Sequence, residues 1–348
     1  MTVHLWPLIK QEDSPESLKF VQQENGHDLQ IIGKRCAGLL SAAFVSNSVA
    51  SETMSLATNP QGSAYYAVGS AISSLVTQKD AARVLVQPTS GSSENVVLLN
   101  QGDVEFAILN TVELAWAKSG DVIFDGRKHE NLRLVSAMFQ FPIGIAVPAD
   151  SDIKTIADLK GKRMPSGYAS HLTIRYIQDA ILNTSGLSSS DVQGLPVANY
   201  VQGMEMLGQG RVDAAVVGPT SGKAREINSQ LSRQGGIRFL PIENTPEALQ
   251  LMQDVFPGAQ HRMLSKASQM PGVQDDVNVM SWSGFLATNS NVPDSVVYAV
   301  TKSIAENTDT LAQATPTLKN LAPDNMVELH PVEYHPGAER YYREAGQW

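Results

Sequence analysis

Residues 99–109 read Leu-Asn-Gln-Gly-Asp-Val-Glu-Phe-Ala-Ile-Leu, and residues 207–217 read Leu-Gly-Gln-Gly-Arg-Val-Asp-Ala-Ala-Val-Val. The two stretches share Leu, Gln, Gly, Val and Ala at matching positions. In each stretch an apolar helical segment stops at a glycine, which adopts left-handed backbone angles without a Cβ clash, and an apolar strand follows. A helix–glycine–strand unit that occurs twice predicts an α/β protein of two similar lobes with a hinge and a cleft between them. Clefts between domains commonly bind small ligands.

Composition limits the classes of function. The chain has 348 residues, of which 42% are hydrophobic and 18% charged, a balance typical of a globular protein large enough for two domains. Its formal net charge of −9 disfavours nucleic acid and anionic membranes as partners. The single cysteine, Cys36, excludes an intrachain disulfide and a zinc site built from cysteines.

The amino-terminal region has the pattern of an export signal. Residues 34–50, KRCAGLLSAAFVSNSVA, place two cations before a short apolar run that ends in small residues. The run is too short and too interrupted by polar residues to span a membrane comfortably. We therefore interpret residues 1–50 as a leader with a signal peptide at 34–50, and expect a periplasmic protein. The alternative is that residues 36–49 form a buried helix of the fold.

Strand and helix patterns alternate from residue 54 onward. We expect strands at 54–58, 83–87, 104–109, 162–164 and 212–217, and helices at 64–76, 94–100, 155–159, 170–183, 202–207 and 294–307. The long β-prone segments 132–148 and 279–288 suit crossings between the lobes. The predicted division is 51–143 plus 284–348 for lobe 1 and 144–283 for lobe 2. A turn at 165–167 that opens a helix is predicted to mirror the turn at 60–62 across the cleft.

Four loops are candidates for ligand binding: 59–66, 89–95, 110–113 and 165–173. Open α/β sheets bind ligands at the carboxyl ends of their strands, and free N–H groups at helix starts favour a carboxylate. The candidate residues in these loops are Gly62, Ser63, Tyr65, Ser90, Gly91, Ser92, Asn110, Ser166, Gly167, Tyr168 and Ser170. Their hydroxyl groups could hold a carboxylate without a cation. The alternatives are that the serines cap helices and that the tyrosines pack in the core.

No catalytic motif is evident. The sequence has no Gly-x-Ser-x-Gly elbow, no His-Glu-x-x-His and no phosphate loop. His330 and His335 have a spacing that could bind metal only with a third ligand, and none is evident. We expect no catalytic residue, no cofactor and no metal. An enzyme on the same two-lobed fold and a ligand-sensing subunit of a signalling system remain alternatives, because a fold does not decide a function.

Five stretches resemble the solute receptors of tripartite ATP-independent periplasmic (TRAP) transporters, in the TAXI family. They are 64–69 (Ala-Tyr-Tyr-Ala-Val-Gly), 90–95 (Ser-Gly-Ser-Ser-Glu-Asn), 156–163 (Ile-Ala-Asp-Leu-Lys-Gly-Lys-Arg), 292–299 (Val-Pro-Asp-Ser-Val-Val-Tyr-Ala) and 335–344 (His-Pro-Gly-Ala-Glu-Arg-Tyr-Tyr-Arg-Glu). The similarity runs from residue 55 to residue 346. The last stretch is the most specific, whereas 156–163 is common among two-lobed receptors.

The resemblance implies a type II periplasmic-binding-protein fold that closes about a hinge. It also implies capture of a small organic acid or amino acid and its delivery to a TRAP-type permease driven by an ion gradient. Two loops depart from the family pattern. Residues 59–63 hold less glycine than is usual, and residues 166–171 read Ser-Gly-Tyr-Ala-Ser-His where the family has a Gly-Ser-Gly-Thr type of loop.

Export can be tested at the amino terminus. Protein purified from its own host should begin near Ser51, because a signal peptidase reads the small residues Ser48 and Ala50. Amino-terminal sequencing measures this directly. A purified protein that still carries residues 1–35 would contradict export.

Overall fold

The computed structural model describes residues 53–348. The predicted leader, 1–50, and its signal peptide, 34–50, lie outside the described residues. Within residues 53–348 no helix is both long enough and apolar enough to cross a bilayer.

Strands and helices alternate through most of the chain. The strands are β1 (Thr53–Thr58), β2 (Arg83–Pro88), β3 (Phe106–Asn110), β4 (Leu132–Pro148), β5 (Arg163–Gly167), β6 (Gln193–Val197), β7 (Ala215–Val217), β8 (Ile237–Phe239), β9 (Gln260–Leu264) and β10 (Val277–Asn289). The helices are α1 (Ala64–Gln78), α2 (Ser92–Gln101), α3 (Thr111–Ser119), α4 (Thr173–Asn183), α5 (Tyr200–Gly208), α6 (Gly222–Gln230), α7 (Pro246–Gln253), α8 (Asp294–Ala305), α9 (Thr308–Ala314) and α10 (Pro336–Glu344).

A mixed sheet runs in the order β2-β1-β3-β10-β4-β7, with β8 also paired to β4 and β9 to β10. Strand β1 is parallel to β2 and β3, whereas β10 is antiparallel to both β3 and β4. Strands β5 and β6 form a separate parallel pair. The parallel strands therefore lie in two groups, β1–β3 and β5–β6, and the strands of each group are followed by helices. The long strands β4 and β10 pair with each other and with β3, β7, β8 and β9.

Strands β4 and β10 form the central ladder. They pair antiparallel from Leu132 opposite Asn289 to Ile143 opposite Met280. All residues of β10 are buried, so that both of its faces are covered. The apolar segments 132–148 and 279–288 are thus confirmed as strands. The lobe boundaries at 143/144 and 283/284 stay a prediction.

The repeat that predicts two lobes has the expected local structure in both copies. Helix α2 ends at Gly102, which has a φ of 81°, and β3 follows. Helix α5 is followed by Gly210, with a φ of 68°, and then by β7. The glycine reverses the chain in each copy, so that the strand returns along the helix that precedes it.

The predicted turn at 165–167 is wrong. Pro165, Ser166 and Gly167 continue β5 and pair with β6. The turn comes later, at Tyr168, whose φ is 49° and whose carbonyl accepts a hydrogen bond from the backbone N–H of His171 at 2.8 Å. Helix α4 consequently begins at Thr173 rather than at residue 170. The predicted short helix at 155–159 is a single 3₁₀ turn over Ala157–Leu159.

Helix α1 packs on the sheet through one apolar face. Val68, Ile72, Leu75 and Val76 recur at helical spacing and are buried. Gly69 lies on the same face, where a Cβ would overlap Thr58 Cγ2 and approach Leu56 Cδ2 to 2.9 Å. Close packing of α1 on β1 therefore requires glycine at this position.

Substitution of Gly69 tests this packing. Gly69→Ala should lower the free energy of unfolding by about 1–3 kcal/mol, because β1 must move to admit the methyl group. Gly222→Ala is the matched control, since a Cβ at the start of α6 would have ordinary contact, 3.6 Å, with Gly62 O. Urea unfolding of both variants gives the comparison, and equal stabilities would contradict the close approach.

Candidate ligand-binding site

A small cavity lies where several helices begin, and its volume of about 20 Å³ is enough for about one water molecule. Its polar wall is formed by Asn59, Ser63, Ser92, Asn110 and His171. Its apolar wall is formed by Tyr65, Phe141, Ile143, Ile174, Ile177, Tyr200 and Trp282. Since the walls nearly touch, a solute can enter only if they separate.

Five helices begin at the cavity, and residues of both its polar and its apolar wall lie at these helix starts. Ser63 caps α1 and Asn110 caps α3, Ser92 and Tyr200 are the first residues of α2 and α5, and His171 lies two residues before α4. The first N–H groups of a helix have no partner inside it, and the helix dipole adds partial positive charge there. The cavity therefore faces the amino ends of helices from both predicted lobes.

Two of the predicted residues have a local reason for their position. Ser63 Oγ accepts the N–H of Tyr66 at 3.1 Å, and Asn110 Oδ1 accepts the N–H of Glu113 at 2.7 Å. Helix capping thus explains the position of both side chains, and both residues also line the cavity. Ser92 is different: Gly91 occupies the cap of α2, and the Ser92 hydroxyl lies 3.1 Å from His171 Nε2. The alternative that the candidate serines cap helices therefore does not hold for Ser92.

Sequence reasoning missed a buried acid beside the cavity. The carboxylate of Glu113 is fully buried, and its Oε1 accepts the hydroxyl groups of Ser93 and Thr173, each at 2.7 Å. Its Oε2 accepts the Asn110 amide at 2.9 Å. Among the ion pairs of residues 53–348, none includes Glu113. The signal in the sequence was the spacing Asn110-x-x-Glu113, which resembles a capping box.

The contacts of Glu113 and Ser92 join segments that are far apart in the chain. Thr173 belongs to α4 and Glu113 to α3, and the pair of Ser92 and His171 runs beside them. Gly91 permits this approach, because a Cβ there would overlap Ser170 O and come within 2.7 Å of His171 Cβ. The contacts Ser92–His171, Ser93–Glu113 and Thr173–Glu113 thus hold the starts of α2 and α3 against the start of α4.

The apolar wall is largely aromatic. The Trp282 indole N–H donates to the Tyr65 hydroxyl at 3.0 Å, and the Tyr65 and Phe141 rings meet edge to face with centroids 5.5 Å apart. The Tyr200 hydroxyl accepts the N–H of Gly218. Of these residues only Tyr65 was a candidate from the sequence. Phe141 and Trp282 lie opposite each other in β4 and β10. In the sequence of a buried strand, an apolar residue that lines a cavity cannot be told from one that packs in the core.

Comparison with known proteins identifies the family. The model of the NMT1-like family matches residues 56–346. The chain belongs to the NMT1-like family.

Solved structures share its fold. One is PhnD1 of Prochlorococcus marinus MIT 9301 in complex with methylphosphonate, at 9% identity, with 85% of this chain and 99% of that chain covered and a TM-score of 0.51. Another is a protein of Bordetella bronchiseptica RB50, at 15% identity, with 84% and 98% covered and a TM-score of 0.51. These similarities confirm the predicted two-lobed α/β fold of periplasmic binding proteins.

Two buried polar atoms of this NMT1-like protein have no hydrogen-bond partner although their residues line the cavity. They are Asn59 Oδ1 and His171 Nδ1, on side chains that are 4% and 3% exposed. Burial lowers the pKa of His171 to about 3, so the imidazole is neutral at physiological pH. A buried polar group without a partner is costly, and a bound solute could supply one.

Most of the other predicted site residues lie outside the cavity. The Gly62 carbonyl accepts the N–H of Lys223 at 3.0 Å. Ser90 and Ser170 line a separate, open groove that also contains Arg127 and Lys128. Ser166 and Gly167 end β5, and the buried Tyr168 donates its hydroxyl to Gln178 Oε1 at 3.0 Å. The structure therefore brings Ser63, Tyr65, Ser92 and Asn110 together in the wall of the cavity, whereas the remaining candidates do not line it.

The spaced histidines do not form a shared site. His330 Nε2 lies 2.8 Å from Thr111 O, and its Nδ1 accepts the N–H of Val332 at 3.0 Å. His335 Nδ1 accepts the N–H of Gly337 at 3.1 Å, at the start of α10. Both rings thus bind the backbone.

The burial of Glu113 predicts a pH dependence. Burial raises the pKa of this carboxyl above its ordinary value of 4.5, and the hydrogen bonds from Ser92, Thr173, Ser93 and Asn110 oppose the rise. The folded state then binds a proton that the unfolded state has released. The stability contributed by this group is present below pH 4.5 and is lost as pH rises towards the folded-state pKa.

Glu113→Gln removes this titration. Relative to the variant, the wild-type protein should lose up to about 1.4 kcal/mol of unfolding free energy per pH unit in that window. Urea unfolding between pH 4.5 and 8 measures the difference, and the exposed Glu130→Gln serves as the control. Parallel pH profiles of wild type and Glu113→Gln would contradict a raised pKa.

Proposed function

We propose that this NMT1-like protein is an extracytoplasmic solute receptor that captures a small molecule in the cavity and delivers it to a membrane permease. The observation that carries the proposal is the convergence of five helix starts on one cavity, two of whose lining residues, Asn59 and His171, have an unpaired buried polar atom. Membership of the family and the periplasmic-binding-protein fold agree with it.

A receptor also fits the chemistry of the cavity better than an enzyme does. Acid–base catalysis needs a group that can exchange protons near neutral pH. His171 is held neutral by burial, and the oxygens of Glu113 face donors from Ser93, Thr173 and Asn110. The wall residues can bind and orient a solute, whereas Glu113, whose pKa burial raises, does not line the cavity.

The permease partner is proposed from the sequence resemblance. The five TAXI-like stretches favour a TRAP-type permease, and export through the signal peptide at 34–50 would place the receptor in the periplasm. The sequence also predicts a carboxylate or an amino acid as the solute. PhnD1 was solved with methylphosphonate, so phosphonates join these acids as ligands to be screened.

A thermal-shift screen tests the receptor role. The purified protein is incubated with organic acids, amino acids, phosphonates, sulfonates, amides and sugars, and a true ligand in excess raises the melting temperature by mass action. Calorimetry then gives the affinity of each hit. A protein that binds none of these solutes but converts one of them would contradict the proposal.

Two serine variants test where the solute binds. Ser92→Ala should weaken binding of the identified solute by about tenfold, because it removes a hydroxyl from the cavity and the partner of His171. Ser170→Ala is matched in chemistry but lies in the outer groove, so its affinity should stay within about twofold. The opposite order of effects would locate the solute in the outer groove.

A further inference from the structure

The cavity has no charged side chain in its wall. Its polar members are two asparagines, two serines and His171, and burial keeps the imidazole of His171 neutral. No Lys, Arg, Asp or Glu among residues 53–348 lines it. A charged solute would therefore be paired only with dipoles.

An anionic solute would compete with Glu113 for hydrogen-bond donors. Glu113 takes donors from Ser93 in α2, Asn110 at the cap of α3 and Thr173 in α4. Three of the converging helix starts thus already face a buried carboxylate. Those donors are therefore already in use and are not available to a solute carboxylate. Above the folded-state pKa of Glu113, such a solute would also have a like charge close by in a medium of low dielectric constant.

A cation finds no acceptor of its own. The oxygens of Glu113 are occupied by hydroxyl and amide donors, and Glu113 itself is not part of the cavity wall. The remaining helix starts, those of α1 and α5, present partial positive charge. An ammonium group would lose its hydration without gaining a carboxylate in return.

The unpaired atoms define what the solute must supply. Asn59 Oδ1 can only accept a hydrogen bond, so its partner must carry an N–H or O–H group. His171 Nδ1 is the second unpaired atom, while its Nε2 faces Ser92. The same cavity is lined by the rings of Tyr65, Phe141 and Trp282, which favour an apolar body.

We propose that the solute is uncharged: a small amide or alcohol whose N–H or O–H donates to Asn59 and whose apolar body lies against the aromatic wall. The proposal rests on the receptor function proposed above and narrows its ligand. It replaces the carboxylate that helix starts alone suggest, because Glu113 already occupies that role.

Three sets of probes test which charge the cavity prefers in a solute; within each set the carbon skeleton is kept and only the head group changes. The probes are propionamide, propionate and propylamine, then isovaleramide, isovalerate and isopentylamine, then benzamide, benzoate and benzylamine. Calorimetry on the purified full chain at pH 7.5 should show at least one amide that binds about tenfold or more tightly than its acid and its amine. An acid or amine that binds more tightly than its matched amide overturns the proposal.

Glu113→Gln isolates the cause. At a pH above the folded-state pKa of Glu113, removing its negative charge should strengthen binding of the acids by about fivefold or more, while the affinity of the matched amide changes by less than about twofold. Glu130→Gln, on the surface, should alter neither affinity. Acids that bind no better to Glu113→Gln than to the wild type would contradict exclusion by like charge.

The broader solute screen separates the two proposals. If it yields only charged ligands, the receptor function stands and the uncharged ligand is wrong. If neither the matched probes nor the screen yields any ligand, the receptor function itself fails. If the matched amides do not bind but an uncharged solute from the screen does, the proposal on charge is supported.

Discussion

The antiparallel pairing of β4 and β10 supports most of the molecule. β3 and β9 pair with β10, and β7 and β8 pair with β4, so most of the large sheet is placed by these two strands. The same ladder sets Phe141 opposite Trp282 and thereby builds the aromatic wall of the cavity. Both strands are buried along nearly their whole length, so the same apolar residues that stabilise the core also form the floor of the cavity.

The cavity also has a polar wall, and the buried carboxyl of Glu113 lies behind it in contact with Asn110. Helix starts normally invite an anion from outside, but here the first turn of α3 brings its own carboxylate. Hydroxyl groups from α2 and α4 hold it, so one buried acid both joins distant segments and sets the charge that a solute encounters. The neutral His171, the unpaired Asn59 and the aromatic rings share the remaining space.

Prediction from the sequence succeeded where the signal was local and periodic. The repeated helix–glycine–strand unit and the long apolar strands were recognisable because periodicity and glycine depend on neighbouring residues. It failed at 165–167, where a Pro-x-Gly stretch read as a turn continues a strand, because pairing with β6 outweighed local turn preference. Of the residues predicted for the site, Ser63, Tyr65, Ser92 and Asn110 line the cavity, and their role in binding stays a prediction. The lining residues from β4, β10 and α5 had no local signal in the sequence.

The sequence by itself determined the two-lobed α/β architecture, because alternating apolar strands and helices with glycine stops can be buried in few other ways. It also indicated where α1 begins, since the cap of this helix is a contact over three residues, between Ser63 and Tyr66. Only the tertiary structure decided which helix starts meet, and that Glu113 lies among them with Ser93 and Thr173 as its partners. Those contacts join residues 20 and 60 positions apart, so no spacing in the sequence could reveal that a buried acid lies beside the cavity.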